Sequence, residues 1–141
     1  MDTNYYQSSN FKVFNHKFEL PLNYSNENSV TITVFVREII NLDKEKKNQP
    51  YLIFFQGGLG YESPRPISIS GWIKRACEEY KVLLIDQRGT GLSTPVCSRS
   101  FEGLSDQEIA DYLTYFRADN IVRDAEEIRK MIIGDDRWSI L

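Results

Sequence analysis

The strongest constraint on the fold is a pair of uninterrupted apolar runs, each ending in a glycine-rich loop. Tyr51-Leu52-Ile53-Phe54-Phe55 stops at Gln56-Gly57-Gly58-Leu59-Gly60, and Val82-Leu83-Leu84-Ile85 stops at Asp86-Gln87-Arg88-Gly89-Thr90-Gly91. Runs that are apolar on both faces are strands buried on both sides, the situation inside a parallel sheet covered by helices. Between them, residues 70–80 supply a crossover helix, with Ser70 at the N-cap and Trp72, Ile73, Ala76 and Cys77 at helical spacing. The two runs therefore form a βαβ unit.

Upstream the pattern is antiparallel. Residues 17–24 alternate apolar and polar, and Asn26-Glu27-Asn28 provides turn chemistry. From Ser29, Val30, Ile32, Val34 and Val36 point one way, while Thr31, Thr33, Phe35 and Arg37 point the other, which gives a hairpin. Residues 1–15 show no period and read as an irregular lead-in. The mixed-charge stretch 41–49 reads as a solvated connection. Downstream, Ser105-Asp106-Gln107-Glu108 is a capping box opening a helix continued by Ile109, Leu113 and Phe116. A second helix carries Ile121, Ala125, Ile128 and Ile132 on one face, pairs Glu126 with Lys130, and ends at Gly134. Arg137-Trp138-Ser139-Ile140-Leu141 opens another apolar run.

Composition excludes several functions. Of 141 residues, 17 are basic and 20 acidic, a formal charge of −3 with no basic stripe, which argues against nucleic-acid binding. No apolar run approaches the roughly 20 residues that span a bilayer, and the first residues lack the pattern of a signal peptide, so the reading is cytoplasmic with no membrane partner. Cys77 and Cys97 read as reduced and structural. The single histidine, His16, excludes zinc sites built on paired histidines and reads as a surface residue lying ahead of every strand.

A glycine loop after a buried strand can cradle phosphate, make a tight turn without ligand, or present backbone N–H groups to a developing negative charge. The spacing matches neither G-x-G-x-x-G nor G-x-x-x-x-G-K-[ST], which disfavours a nucleotide; the turn and the N–H ledge stay open.

Taken together, these features resemble the N-terminal half of an α/β-hydrolase, and within that superfamily the proline iminopeptidase (prolyl aminopeptidase) group of serine peptidases. The points of resemblance are the Gln56–Gly60 loop, the run Asp86-Gln87-Arg88-Gly89-Thr90-Gly91-Leu92-Ser93, and residues 116–126. Two positions depart from the usual loop of that group: Gln56 stands for histidine and Leu59 for proline. The resemblance implies acyl transfer to serine without metal or cofactor, and an oxyanion hole built partly from Gly57, Gly58 and Leu59. It gives Gln56, Gly60, Asp86, Gln87, Arg88, Gly89 and Gly91 architectural roles.

Arg117, Asp119, Arg123 and Asp124 read as an ion network, and Glu62 as a residue near the mouth of the site. No G-x-S-x-G elbow is present, and neither Ser93 nor Ser139 has its glycine frame. The triad is therefore expected beyond Leu141, residues 16–141 form the first part of the catalytic domain, and the 141 residues alone are expected to be inactive. The substrate implied for the parent protein is a peptide with an N-terminal proline. The open sheet edge is expected to favour self-association. The alternatives are a part of an esterase or epoxide hydrolase, or a half-domain serving in binding or dimerisation.

Overall fold

A computed structural model describes residues 1–45, 48–57, 60–66 and 68–141. The chain runs β1 (Asp2–Ser8), β2 (Phe11–Pro21), β3 (Thr31–Asn41), β4 (Tyr51–Phe54), α1 (Gly71–Ala76), β5 (Lys81–Asp86), α2 (Asp106–Thr114), α3 (Ala118–Ile133) and β6 (Ser139–Ile140). One mixed sheet results, in the order β1-β2-β3-β5-β4-β6. The β1/β2, β2/β3 and β3/β5 pairs are antiparallel. β4 runs parallel to both β5 and β6, so the apolar runs form the expected βαβ unit.

Strand alternation divides the core between the two faces. Val34 and Val36 of β3, Ile53 of β4, and Leu83 and Ile85 of β5 pack with Ala125 and Ile128 of α3. Ile39 of β3 and Val82 and Leu84 of β5 face the other way and pack with Ile73 of α1 and Cys77. Each fully buried aliphatic side chain contributes about 1.5–3 kcal/mol relative to exposure. Both faces of β5 are therefore covered, which is why its sequence does not alternate.

The amino-terminal reading needs correction. Residues 2–8 are strand, not an irregular lead-in, and they pair with β2 from Asp2 opposite Lys17 to Ser8 opposite Phe11. β1 is solvent-exposed along nearly its whole length, so it carries no apolar period to read. Ser9, at φ 53°, turns the chain with Asn10 into β2. β2 itself begins at Phe11 rather than at residue 17. Its Phe11 and Val13 are covered on the α1 side, whereas Phe18 and Leu20 are covered on the α3 side. That change of covered face breaks the simple alternation.

His16 lies within β2 and is buried, against the expectation of a surface residue ahead of the strands. Its Nε2 is 2.9 Å from Glu38 Oε2 and its Nδ1 is 2.9 Å from Thr3 Oγ1. Tyr51 donates its hydroxyl to the same glutamate at 3.0 Å. Burial and Glu38 push the Tyr51 phenol above its ordinary range.

Elsewhere the differences are local. β3 extends to Asn41, whose side chain accepts the Asp43 N–H to start a short 3-10 turn over Leu42–Lys44, so residues 41–44 are not irregular. Lys46 and Lys47 of the expected connection lie outside the described residues. α1 is shorter than the expected span of 70–80, and Ser70 stands at its N-cap position without a side-chain capping bond. The Ser105–Glu108 capping box forms, and Gly134, at φ 63°, ends α3. Glu126 pairs with Arg129 and Glu127 with Lys130, in place of the expected Glu126–Lys130 pair.

Cys77 is buried and its thiol is pushed up to about 12 by burial. Cys97 is exposed, and its hydrogen bond with the Ser100 side chain, followed by nearby backbone N–H groups, lowers its thiol pKa. Among the described residues no helix is long and apolar enough to cross a membrane.

Candidate active-site loops

The carboxyl ends of β4 and β5 lie side by side because the strands are parallel neighbours, and this places the two glycine loops together. Gln87 donates from Nε2 to the Gln56 carbonyl at 3.1 Å and ties one loop to the other. Gly58 and Leu59 lie outside the described residues. Gly57 is described, and a Cβ built there would meet nothing within 4 Å. Its N–H finds no backbone acceptor among the described residues. Gly60, at φ +82°, occupies the left-handed region where glycine is favoured.

The β5 loop is held far more tightly. The Asp86 carboxylate is buried and accepts the Ser63 N–H at 3.0 Å, the Leu92 N–H at 2.9 Å and Arg65 Nη2 at 2.8 Å. Arg65 also approaches Glu62 at 3.5 Å, so the glutamate suggested for the site mouth is engaged in an ion pair. Ser93 donates its hydroxyl to the Asp86 carbonyl and accepts the Phe35 N–H at 2.9 Å, pinning the end of the loop onto β3. A side chain at Gly91 would collide with the Asp86 carboxylate, and one at Gly89 would come within 3.0 Å of the Phe116 ring.

Arg88 is the centre of this frame. Its guanidinium meets Asp124 through two bonds of 2.7 and 2.6 Å. Its remaining donors reach the carbonyls of Leu22 at 3.0 Å, Tyr115 at 2.7 Å and Pro21 at 3.1 Å. All five N–H groups of the side chain are used. Tyr24 donates its hydroxyl to Asp124 at 2.7 Å. Desolvation, reinforced by that carboxylate, raises the Tyr24 phenol well above its ordinary range.

Asp86, Gln87 and Arg88 thus spend their side chains on bonds within the fold, and Gly91 leaves the space that the Asp86 carboxylate fills. The expected network of Arg117, Asp119, Arg123 and Asp124 does not form as a unit. Asp124 is buried against Arg88, whereas Arg123 stands over the Tyr24 ring with its guanidinium carbon 5.8 Å from the centroid. The Arg88–Asp124 link, 36 residues apart in sequence, has no local signal. Arg65 was missed for the same reason, since only folding carries it to Asp86.

Beside the loops lies an apolar cavity of about 590 Å³ lined by Phe55, Gln87, Phe116, Ile121, Val122 and Ile140. The site thus combines a pinned loop, an adjoining glycine loop in which the Gly57 N–H has no acceptor among the described residues, and apolar space next to both. A backbone N–H without a protein acceptor is a group that can meet negative charge on a bound oxygen. His16 is not part of it, being engaged with Thr3 and Glu38 in the sheet.

A hairpin that feeds a parallel βαβ unit, with glycine loops at the carboxyl ends of its strands, places the molecule in the α/β class. No protein-family model matches the chain. A proline iminopeptidase of Aeromonas sobria is 46% identical over 127 residues, covering 89% of this chain and 30% of the relative. Proline iminopeptidase aneH of Aspergillus aculeatus is 36% identical over 133 residues, with the same two coverages of 89% and 30%. The chain is a homologue of the proline iminopeptidases, of α/β-hydrolase type, and it spans 30% of the length of these curated relatives.

Proposed function

We propose that these residues serve a serine hydrolase that releases N-terminal proline from peptides. Their part is the sheet framework and one side of the oxyanion hole, formed by backbone N–H groups of the Gly57-Gly58-Leu59 loop. The observation that carries this reading is the pairing of an unobstructed Gly57 with a neighbouring loop held by Asp86 and Arg88, in a chain 46% identical to a proline iminopeptidase.

In this reading a serine hydroxyl attacks the carbonyl of the N-terminal prolyl residue while a histidine accepts its proton. The carbonyl oxygen becomes an oxyanion held by the loop N–H groups. On collapse the histidinium returns that proton to the departing nitrogen, so the shortened peptide leaves as a free amine and a prolyl ester remains, which water hydrolyses by the same two steps. His16 cannot act as that base, because both ring nitrogens are engaged on the sheet, remote from the β4 loop. The serine, the acid and the histidine are assigned to polypeptide beyond Leu141.

The test is to read the coding sequence past the Leu141 codon. The expected result is an open frame that enters Gly-x-Ser-x-Gly and later supplies an acid and a histidine. A stop codon directly after Leu141 would overturn the catalytic reading.

A further inference from the structure

A buried cation without a counter-charge lies on β3. Phe35 and Arg37 share the face of that strand that carries Ile39, opposite Val34 and Val36. Arg37 is only 9% exposed. Its Nε donates to Asn15 Oδ1 at 3.2 Å, and Asn15 in turn donates to Asn4 Oδ1 at 3.1 Å. The other N–H groups of the guanidinium bond to no described residue, and no described carboxylate pairs with it. Arginine is rarely buried unless it is paired, because a charge taken out of water without compensation is costly.

Acceptors are scarce around this cation. Arg37 and Arg65 stand over the same Phe35 ring, with guanidinium carbons 5.3 and 5.7 Å from its centroid. Arg65 takes both nearby carboxylates, Asp86 and Glu62, and its Nη1 is still buried with no acceptor among the described residues. Burial lowers the Arg37 pKa from its ordinary value, as for a charge held away from water. A cavity of about 180 Å³ opens at Arg37, lined also by Asp2, Asn4, Asn15, Lys17 and Phe35.

We propose that this cavity binds a carboxylate group, seated on the Arg37 guanidinium. With Nε fixed by Asn15, the side chain offers the paired N–H donors that match the two oxygens of a carboxylate. Charge sets the class of anion. Arg37 and Lys17 against Asp2 leave a single net positive charge on the cavity wall, which a monoanion neutralises. A phosphate dianion would instead bring excess negative charge beside Asp2. The carboxylate belongs either to a small organic acid or to the C-terminus of a peptide.

Calorimetric titration of the full-length protein that carries these residues, with acetate and separately with N-acetyl-dialanine, tests this. Saturable binding is expected, and it weakens as salt is added. The C-terminal amide of the same peptide, which lacks the carboxylate, should not bind. Arg37→Gln should bind roughly tenfold or more weakly, the loss of charge-assisted bonds. Two substitutions of exposed side chains leave the packing around Arg37 intact. Lys17→Gln should weaken binding and Asp2→Asn should tighten it, each roughly two- to threefold. Tighter binding of acetate identifies a small acid as ligand, and tighter binding of the peptide identifies a chain terminus. Absence of saturable binding, equal binding of the amide, or an affinity unmoved by all three substitutions would overturn the proposal.

Discussion

The two glycine loops sit on neighbouring parallel strands, yet they are held in opposite ways. After β5, Asp86 and Arg88 are buried and tie the loop to Ser63 and Arg65, to α3 and to three backbone carbonyls. Directly after β4, at Gln56 and Gly57, the chain is joined to the neighbouring loop by one bond, from Gln87 to the Gln56 carbonyl, and a Cβ at Gly57 would meet no described residue within 4 Å. The contrast teaches that a charged pair beside a glycine-rich loop is no evidence of catalysis. Arg88 has every donor satisfied by the protein, so nothing is left for substrate, whereas backbone left unengaged can meet a reacting oxygen.

Four substitutions grade that contrast. Arg88→Met removes five donors and leaves the Asp124 carboxylate buried without its cation. A loss of about 3–5 kcal/mol is expected in urea unfolding. A loss under roughly 1 kcal/mol, the surface-pair value, would mean that the frame is not set by this ion pair. Gly91→Ala places a methyl group against Asp86 at a backbone φ of +55°. It should cost about 2–4 kcal/mol, combining the left-handed penalty with overpacking.

Ser105→Ala, remote from both loops, removes the α2 cap and should cost about 1 kcal/mol. Its pH dependence has a definite sign. Backbone and side-chain bonds from Ser105 hold the Glu108 carboxyl below its ordinary value, so this contribution is present above the unfolded pKa and is lost as pH falls through the folded one. The difference between parent and variant in thermal unfolding should therefore narrow in acid, and a difference that widened would contradict the assignment.

Gly57→Ala marks the other extreme. Among the described residues, chain neighbours aside, no atom lies within 4 Å of the added methyl, and φ is not in the left-handed region, so stability should change by less than about 0.5 kcal/mol. Turnover of N-terminal prolyl substrates by the full-length protein should nevertheless fall roughly 10–100-fold, through displaced oxyanion donors. A large loss of stability with unchanged turnover would erase the distinction between the loops.

The βαβ unit was legible because strands buried on both faces leave unbroken apolar runs, as at Val82–Ile85. The α2 start was legible because a capping box is a local, four-residue signal. β1 was not, since an exposed edge strand has no hydrophobic period, and its pairing partner is specified by the Ser9 turn and by backbone bonds. His16 was misplaced because its burial depends on Glu38, 22 residues away on the paired strand. In the candidate site the glycine positions showed in the sequence, but the Arg88–Asp124 and Arg65–Asp86 pairs arise only when separate elements meet.

The most direct test is hydrolysis of proline p-nitroanilide by the full-length protein that carries these residues. The account predicts cleavage with preference for N-terminal proline over other aminoacyl anilides, blocked by a serine-directed phosphonate, and no cleavage by residues 1–141 alone. A folded full-length protein that leaves the prolyl anilide intact, or a 141-residue chain that cleaves it, would contradict the account.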